Sequence, residues 1–183
     1  MTPEEEAKLP ENVMWEGRFI AAKTRGKWEY VGRTRGIHAA VIIAIDEAED
    51  GRHLLLVDQY RVALLKRCIE IPAGLVGDDD DKAGEHASIA AARELEEETG
   101  YRAGRMEVLG EFYSSPGMVS ESFTLFRAHD LVRVAEGGGV GDEEIRVHRV
   151  PLDGFADWVR GMREQGYAID VRLLAFLGSG MIG

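Results

Sequence analysis

The chain has 183 residues, 45% of them hydrophobic, which is enough to bury one core and, by length, suits one domain. A formal net charge of -11 repels phosphate backbones and anionic lipid, so a nucleic-acid coat or a membrane-surface binder is excluded unless a local basic patch exists. A small anionic substrate remains open if a cation screens it.

In chain order, residues 1–12 ("MTPEEEAKLPEN") are an acidic, polar tail with no apolar centre, unlike a secretory or transit signal. No apolar run approaches the roughly 18 residues of a membrane span. "VMWEGRFIAAK" (13–23) and "KWEYVGR" (27–33) read as a strand pair turning at "TRG". This pair, taken as residues 13–35, is an element that could serve in dimerisation or in substrate contact. Residues 36–183 form the main domain. "HAAVIIAI" and "HLLLVDQY" are nearly continuous apolar runs around an acidic, Gly-containing loop, the pattern of a sheet covered on both faces.

"CIEIPAG" ends a further short strand, because Pro72 and Gly74 interrupt it. Cys68, the single cysteine, rules out an internal disulfide and a cysteine-based zinc site. It fits a reducing cytoplasm, and a buried place in a strand is its plain reading. From Glu85 to Thr99 the period becomes helical, with Ile89, Ala92 and Leu95 on the apolar side and Gly100 at the C-cap position. Strand patterns return at "RMEVLGEFY", "SFTLFRAH" and "EIRVHRVP", and helical patterns at "DGFADWVRGMREQG" and "DVRLLAFLG". The order predicts an α/β fold in which a mixed β-sheet lies between helices, an α/β/α sandwich with an N-terminal antiparallel strand pair.

"RELEEETG" (93–100) sets Glu94, Glu97 and Glu98 within about 100° of one helix face, while Glu96 points away. Like charges at these spacings cost an isolated helix about 0.2–0.5 kcal/mol per pair. One reading is a solvated acidic face softened by Arg93 and Arg102. The other is a site for hard divalent cations, which take carboxylate and phosphate oxygens. An EF-hand is ruled out, because Asp79, Asp81 and Gly84 fit loop positions but Ala83 and Ala90 supply no side-chain oxygen. The glycines at 137–141 lack the Lys-Ser/Thr that follows a P-loop.

From Glu85 the segment resembles the Nudix box, G-x5-E-x7-R-E-U-x-E-E-x-G-U, at Glu85, Arg93, Glu94, Leu95, Glu97, Glu98, Gly100 and Tyr101. The departure is the first spacer, "LVGDDDDKAG" after Gly74, which is five residues longer than the pattern. "RGIHAAVII", "LLLVDQYR", "IEIPAGLV" and "SSPGMVSE" resemble the flanking elements of the ADP-ribose pyrophosphatase branch of the Nudix hydrolases. The resemblance implies Mg²⁺-dependent cleavage of a nucleoside diphosphate sugar, ADP-ribose first, with Mn²⁺ as a substitute. It implies Glu94, Glu97, Glu98 and the Ala73 carbonyl as metal ligands, with Glu97 also catalytic and Glu85 and Arg93 as support.

The resemblance also implies a general base from the acidic loop "EGGGVGDEEIR", at Glu143 or Glu144, with glycines that permit closure; a solvated acidic turn is the alternative. Arg35, Arg61, Pro116 and Glu121 are the substrate-binding candidates, although either arginine could be a surface charge. Trp28 and Tyr30 are candidates for stacking on a base, or for the core. The five histidines show no ligand spacing. The resemblance also implies a homodimer, while the single cysteine and the polar N-terminus are the grounds for expecting it in the cytoplasm. Two alternatives stand beside this reading: hydrolysis of another substrate (another nucleotide sugar, NADH or a dinucleoside polyphosphate), and a sensor domain that binds without catalysis.

Overall fold

The computed structural model describes residues 1–34, 38–76, 86–141 and 143–178. The polar tail carries a one-turn helix, α1 (Pro3–Glu6), closed by a capping box between Thr2 and Glu5. The expected strand at 13–23 is interrupted after Glu16, where the Gly17 amide donates back to the Ile20 carbonyl. The strand pair is therefore a three-stranded antiparallel sheet: β1 (Asn12–Glu16), β2 (Ile20–Arg25) and β3 (Trp28–Arg33).

The second sheet holds β4 (His38–Ala48), β5 (Gly51–Arg61), β6 (Lys66–Glu70), β7 (Ala73–Val76), β8 (Tyr101–Tyr113), β9 (Ser122–Arg133), β10 (Arg146–Pro151) and β11 (Ala168–Ile169). The strand β4 runs parallel to β9 and antiparallel to both β5 and β7, so the sheet is mixed. Its core shows why the apolar runs are continuous. Ala40, Ile42, Ala44 and Leu55 pack on one side with Ala91 and Leu95 of α2 (Ala87–Thr99). The intervening Val41, Leu54 and Leu56 pack on the other with Phe155, Val159 and Met162 of α3 (Phe155–Glu164). Alternate residues of one strand thus meet different helices, and the α/β/α sandwich follows from the two-residue period of the strand.

Two short strands escaped the sequence reading. Pro72 breaks β6, but the chain resumes as β7 and pairs with the first half of β4. β11 adds two residues parallel to β6 and leads into a 3-10 turn (Val171–Leu173) and α4 (Leu174–Leu177). The apolar side of α2 is also rotated from expectation. Ile89 is 59% exposed, because the small Ala90 and Ala91 let the helix approach the sheet with Leu95. Gly100 closes α2 in the left-handed region, φ 75°, as the cap pattern predicts.

Candidate functional site

Burying Leu95 and Ala91 beneath α2 turns the carboxylates of the helix toward β7. A cleft of about 650 Å³ opens there, lined by Ala73, Gly74, Glu94, Glu97 and Glu98 on one side and by Arg33, Arg61, Glu121, Glu143 and Arg172 around it. The approach of α2 to β7 is close: a Cβ added to Gly74 would lie 2.0 Å from Cγ of Glu94. A side chain at this position fits only if Glu94 moves.

The three glutamates differ in surroundings. Arg93 donates from Nη1 to Glu94 (2.8 Å) and to Glu97 (3.1 Å), which offsets part of their repulsion. Glu98 is 5% exposed and accepts the Ala73 amide at 3.0 Å. Burial, helped by the nearby Glu94, Glu143 and Glu70 charges against the Ala73 hydrogen bond, pushes its carboxyl up to about 8. Glu96 points away and holds Arg102 in a two-bond pair.

Among the described residues no three acidic, histidine or cysteine side chains converge as a finished cation cage. The donor set is nonetheless all hard oxygen, and Mg²⁺ commonly completes its shell with water and substrate phosphate rather than with a full protein cage. Glu94, Glu97 and Glu98 in one cleft, with one carboxylate buried among like charges, fit such an ion chemically.

Arginines also line the cleft. Arg61, at the end of β5, grips the buried Glu70 through two bonds of 2.6 Å. Arg172 is paired with Asp170 (2.8 and 2.5 Å) and lies 3.6 Å from Glu70. Arg33 donates to Glu121 at 2.5 Å. The strand β3 is joined to the loop carrying Pro116, since the Val31 amide donates to Met118 and the Ser120 amide to Val31.

Of the sequence candidates, Ala73, Glu94, Glu97, Glu98, Arg61, Glu121 and Glu143 share this cleft. Glu144, next to Glu143, instead has its carbonyl bound by Arg67. Trp28, Tyr30 and Pro116 line another concavity of about 350 Å³. Arg35 and Glu85 fall outside the described residues. Arg33, Glu70, Asp170 and Arg172 were missed. The one available signal was Glu70, a lone charge within the apolar run "CIEIPAG"; the others depend on chain segments far apart in sequence.

The description NUDIX domain matches residues 36–167. This chain belongs to the NUDIX domain family. The Nudix chain is 36% identical over 151 residues to a GDP-mannose pyrophosphatase of Cronobacter sakazakii, covering 78% of this chain and 72% of the relative. It is 32% identical over 117 residues to an ADP-ribose pyrophosphatase of Bacillus subtilis, covering 63% and 60%. A solved structure described as an ADP compounds hydrolase superposes with a TM-score of 0.62 at 24% identity, over 83% of this chain and 81% of that one, a likeness of fold. The chain is accordingly a Nudix hydrolase with a mixed-sheet α/β fold. No helix among the described residues is long and apolar enough to cross a membrane.

Proposed function

We propose that this Nudix hydrolase cleaves the diphosphate of a nucleoside diphosphate sugar, with ADP-ribose, giving AMP and ribose 5-phosphate, as the first candidate. The observation that carries the reading is one cleft whose lining combines Glu94, Glu97 and Glu98 with Arg33, Arg61 and Arg172. A diphosphate is the ligand chemistry that uses both sets of side chains: its oxygens accept arginine hydrogen bonds, and a divalent cation held by the carboxylates would offset its charge. GDP-mannose is the second candidate, favoured by the 36% identity to the Cronobacter relative.

Glu94, Glu97, Glu98 and the Ala73 carbonyl would hold Mg²⁺, or Mn²⁺ in its place. When bound, the ion neutralises phosphate charge and makes water more acidic. The chain's own groups do the rest. Arg61, fixed by Glu70, orients the diphosphate, and Arg33 with Glu121 borders it. Glu143 receives the proton as the water oxygen bonds to one phosphorus and the bridging P–O bond breaks, with the second phosphate leaving. Val13, Met14 and Trp15 of β1 and Phe19 of the turn that follows it are exposed, apolar surface suited to a homodimer.

The test is a panel of nucleotide sugars and dinucleotides incubated with and without EDTA, with products separated. ADP-ribose turnover abolished by chelation is expected. Turnover indifferent to EDTA, or ordinary rates in both Glu97→Gln and Glu98→Gln, overturns the assignment. Tight binding of a nucleotide sugar without turnover would favour a sensor. Sedimentation as a monomer at micromolar concentration would remove the dimer.

A further inference from the structure

Among the described residues of the glycine-rich segment between β9 and β10, two fastenings flank Glu143. At the first, the amides of Gly138 and Gly139 donate to the carbonyls of Glu98 and Glu97, at 2.9 and 3.0 Å. These carbonyls belong to the last turn of α2 and have no partner inside the helix. A Cβ on Gly137 would sit 2.4 Å from the carbonyl carbon of Thr99, so the contact depends on the missing side chain.

The second fastening uses a different set of residues. Arg67 of β6 donates from Nη2 to the carbonyls of Glu144 (2.7 Å) and Asp58 (3.0 Å), while its Nε is paired with the Asp58 carboxylate. Asp58 is wholly buried and meets His148 Nε2 at 2.6 Å through its other oxygen. His148 in turn lies edge-on to Trp158 of α3. Between the two fastenings, the Glu143 carboxylate takes the Val140 amide at 3.0 Å and lines the cleft.

We propose that Arg67, oriented by Asp58 and His148, is a positioning residue for Glu143. Arg67 is not among the cleft-lining residues, so it acts through the Glu144 carbonyl, one peptide from the base. The planar guanidinium is suited to this, because its fork reaches a carboxylate and two carbonyls together, which an ammonium does not match. This inference rests on Glu143 being the base, and its failure is separable from failure of that reading.

The experiment is a double-mutant cycle of Arg67→Lys and Glu143→Gln, with hydrogen exchange read over the loop. Lysine keeps a positive charge beside buried Asp58, so the fold is retained while the fork is lost. Arg67→Lys is expected to lower kcat about tenfold, since small misplacements of a reacting group have effects of this order, with KM within about twofold. In the Glu143→Gln background the same change is expected to have no further effect. Exchange at Gly138 and Gly139 should quicken about tenfold while the amides of α2 that face the core keep their protection.

Equal losses of kcat in both backgrounds, or unchanged exchange over the loop, would overturn the positioning role alone. If Glu143→Gln keeps the wild-type rate, the base assignment and the positioning role both fall. Gly137→Ala supplies a second probe, remote from Asp58: it should lower kcat with the same dependence on Glu143, and an additive effect counts against the proposal.

Discussion

Arg61 at the end of β5 and Glu70 at the end of β6 stand opposite Lys66 and Val57 in the strand register, yet their side chains join through two parallel hydrogen bonds of 2.6 Å. The Glu70 side chain is 4% exposed and that of Arg61 45% exposed, so one partner is fixed in the core and the other lines the cleft. A long, flexible side chain is thereby held in one orientation before substrate arrives.

Arg61→Ala should raise KM for the diphosphate substrate by about 10- to 100-fold, the range of a lost charge-assisted contact. It also leaves Glu70 with Arg172 as its remaining cation, at 3.6 Å. An unfolding titration in urea should register a loss of about 1–3 kcal/mol. Glu70→Gln should raise KM with a smaller effect on kcat, because it loosens Arg61 without removing it.

Glu98 occupies a buried place among Glu94, Glu143 and Glu70, where a neutral amide is less costly than a carboxylate. Glu98→Gln should therefore melt at the same temperature as the parent or higher when no divalent ion is present, yet lose activity by about 100-fold or more. Added Mg²⁺ should raise the parent's melting temperature through binding to the folded state. A Glu97→Gln, Glu98→Gln double variant should lose that response in differential scanning fluorimetry.

Gly74→Ala sets a methyl group against Glu94, at 2.0 Å from Cγ if nothing moved. The carboxylate must swing aside. Activity should drop about tenfold or more, as with other displaced reacting groups, while circular dichroism keeps the parent's secondary structure.

Cys68 lies buried in β6, and burial, reinforced by the Glu70 and Asp170 charges, pushes its thiol up to about 12 from a usual value near 9. The folded state thus holds the proton more tightly than the unfolded state. Its contribution to stability is complete below pH 9 and is lost as the pH rises from 9 toward 12. Iodoacetamide at pH 8 should leave the native thiol unmodified and alkylate it readily in urea, read by mass spectrometry.

The expected two-faced sheet was legible because β4 and β5 are apolar at successive positions, and strand geometry sends neighbours to opposite faces. Turn residues carried less. Pro72 correctly ended β6, yet β7 begins one residue later, since a proline removes one ladder amide without preventing the chain from pairing again. The first expected strand became two because Gly17 to Phe19 turn the chain within an apolar run that alternation alone does not divide.

The sequence by itself determined the acidic face of α2, because the spacing of Glu94, Glu97 and Glu98 acts through a local 3.6-residue period, and it determined the cap at Gly100. Tertiary structure decided what surrounds that face. Arg61, Glu70, Asp170 and Arg172 meet because β5, β6 and β11 lie side by side, and strand pairing is not encoded in the spacing of any one segment. It also turned Glu143, rather than Glu144, into the cleft. Adjacent residues with the same charge are told apart only by the hydrogen bonds that the folded chain makes to the backbone around them.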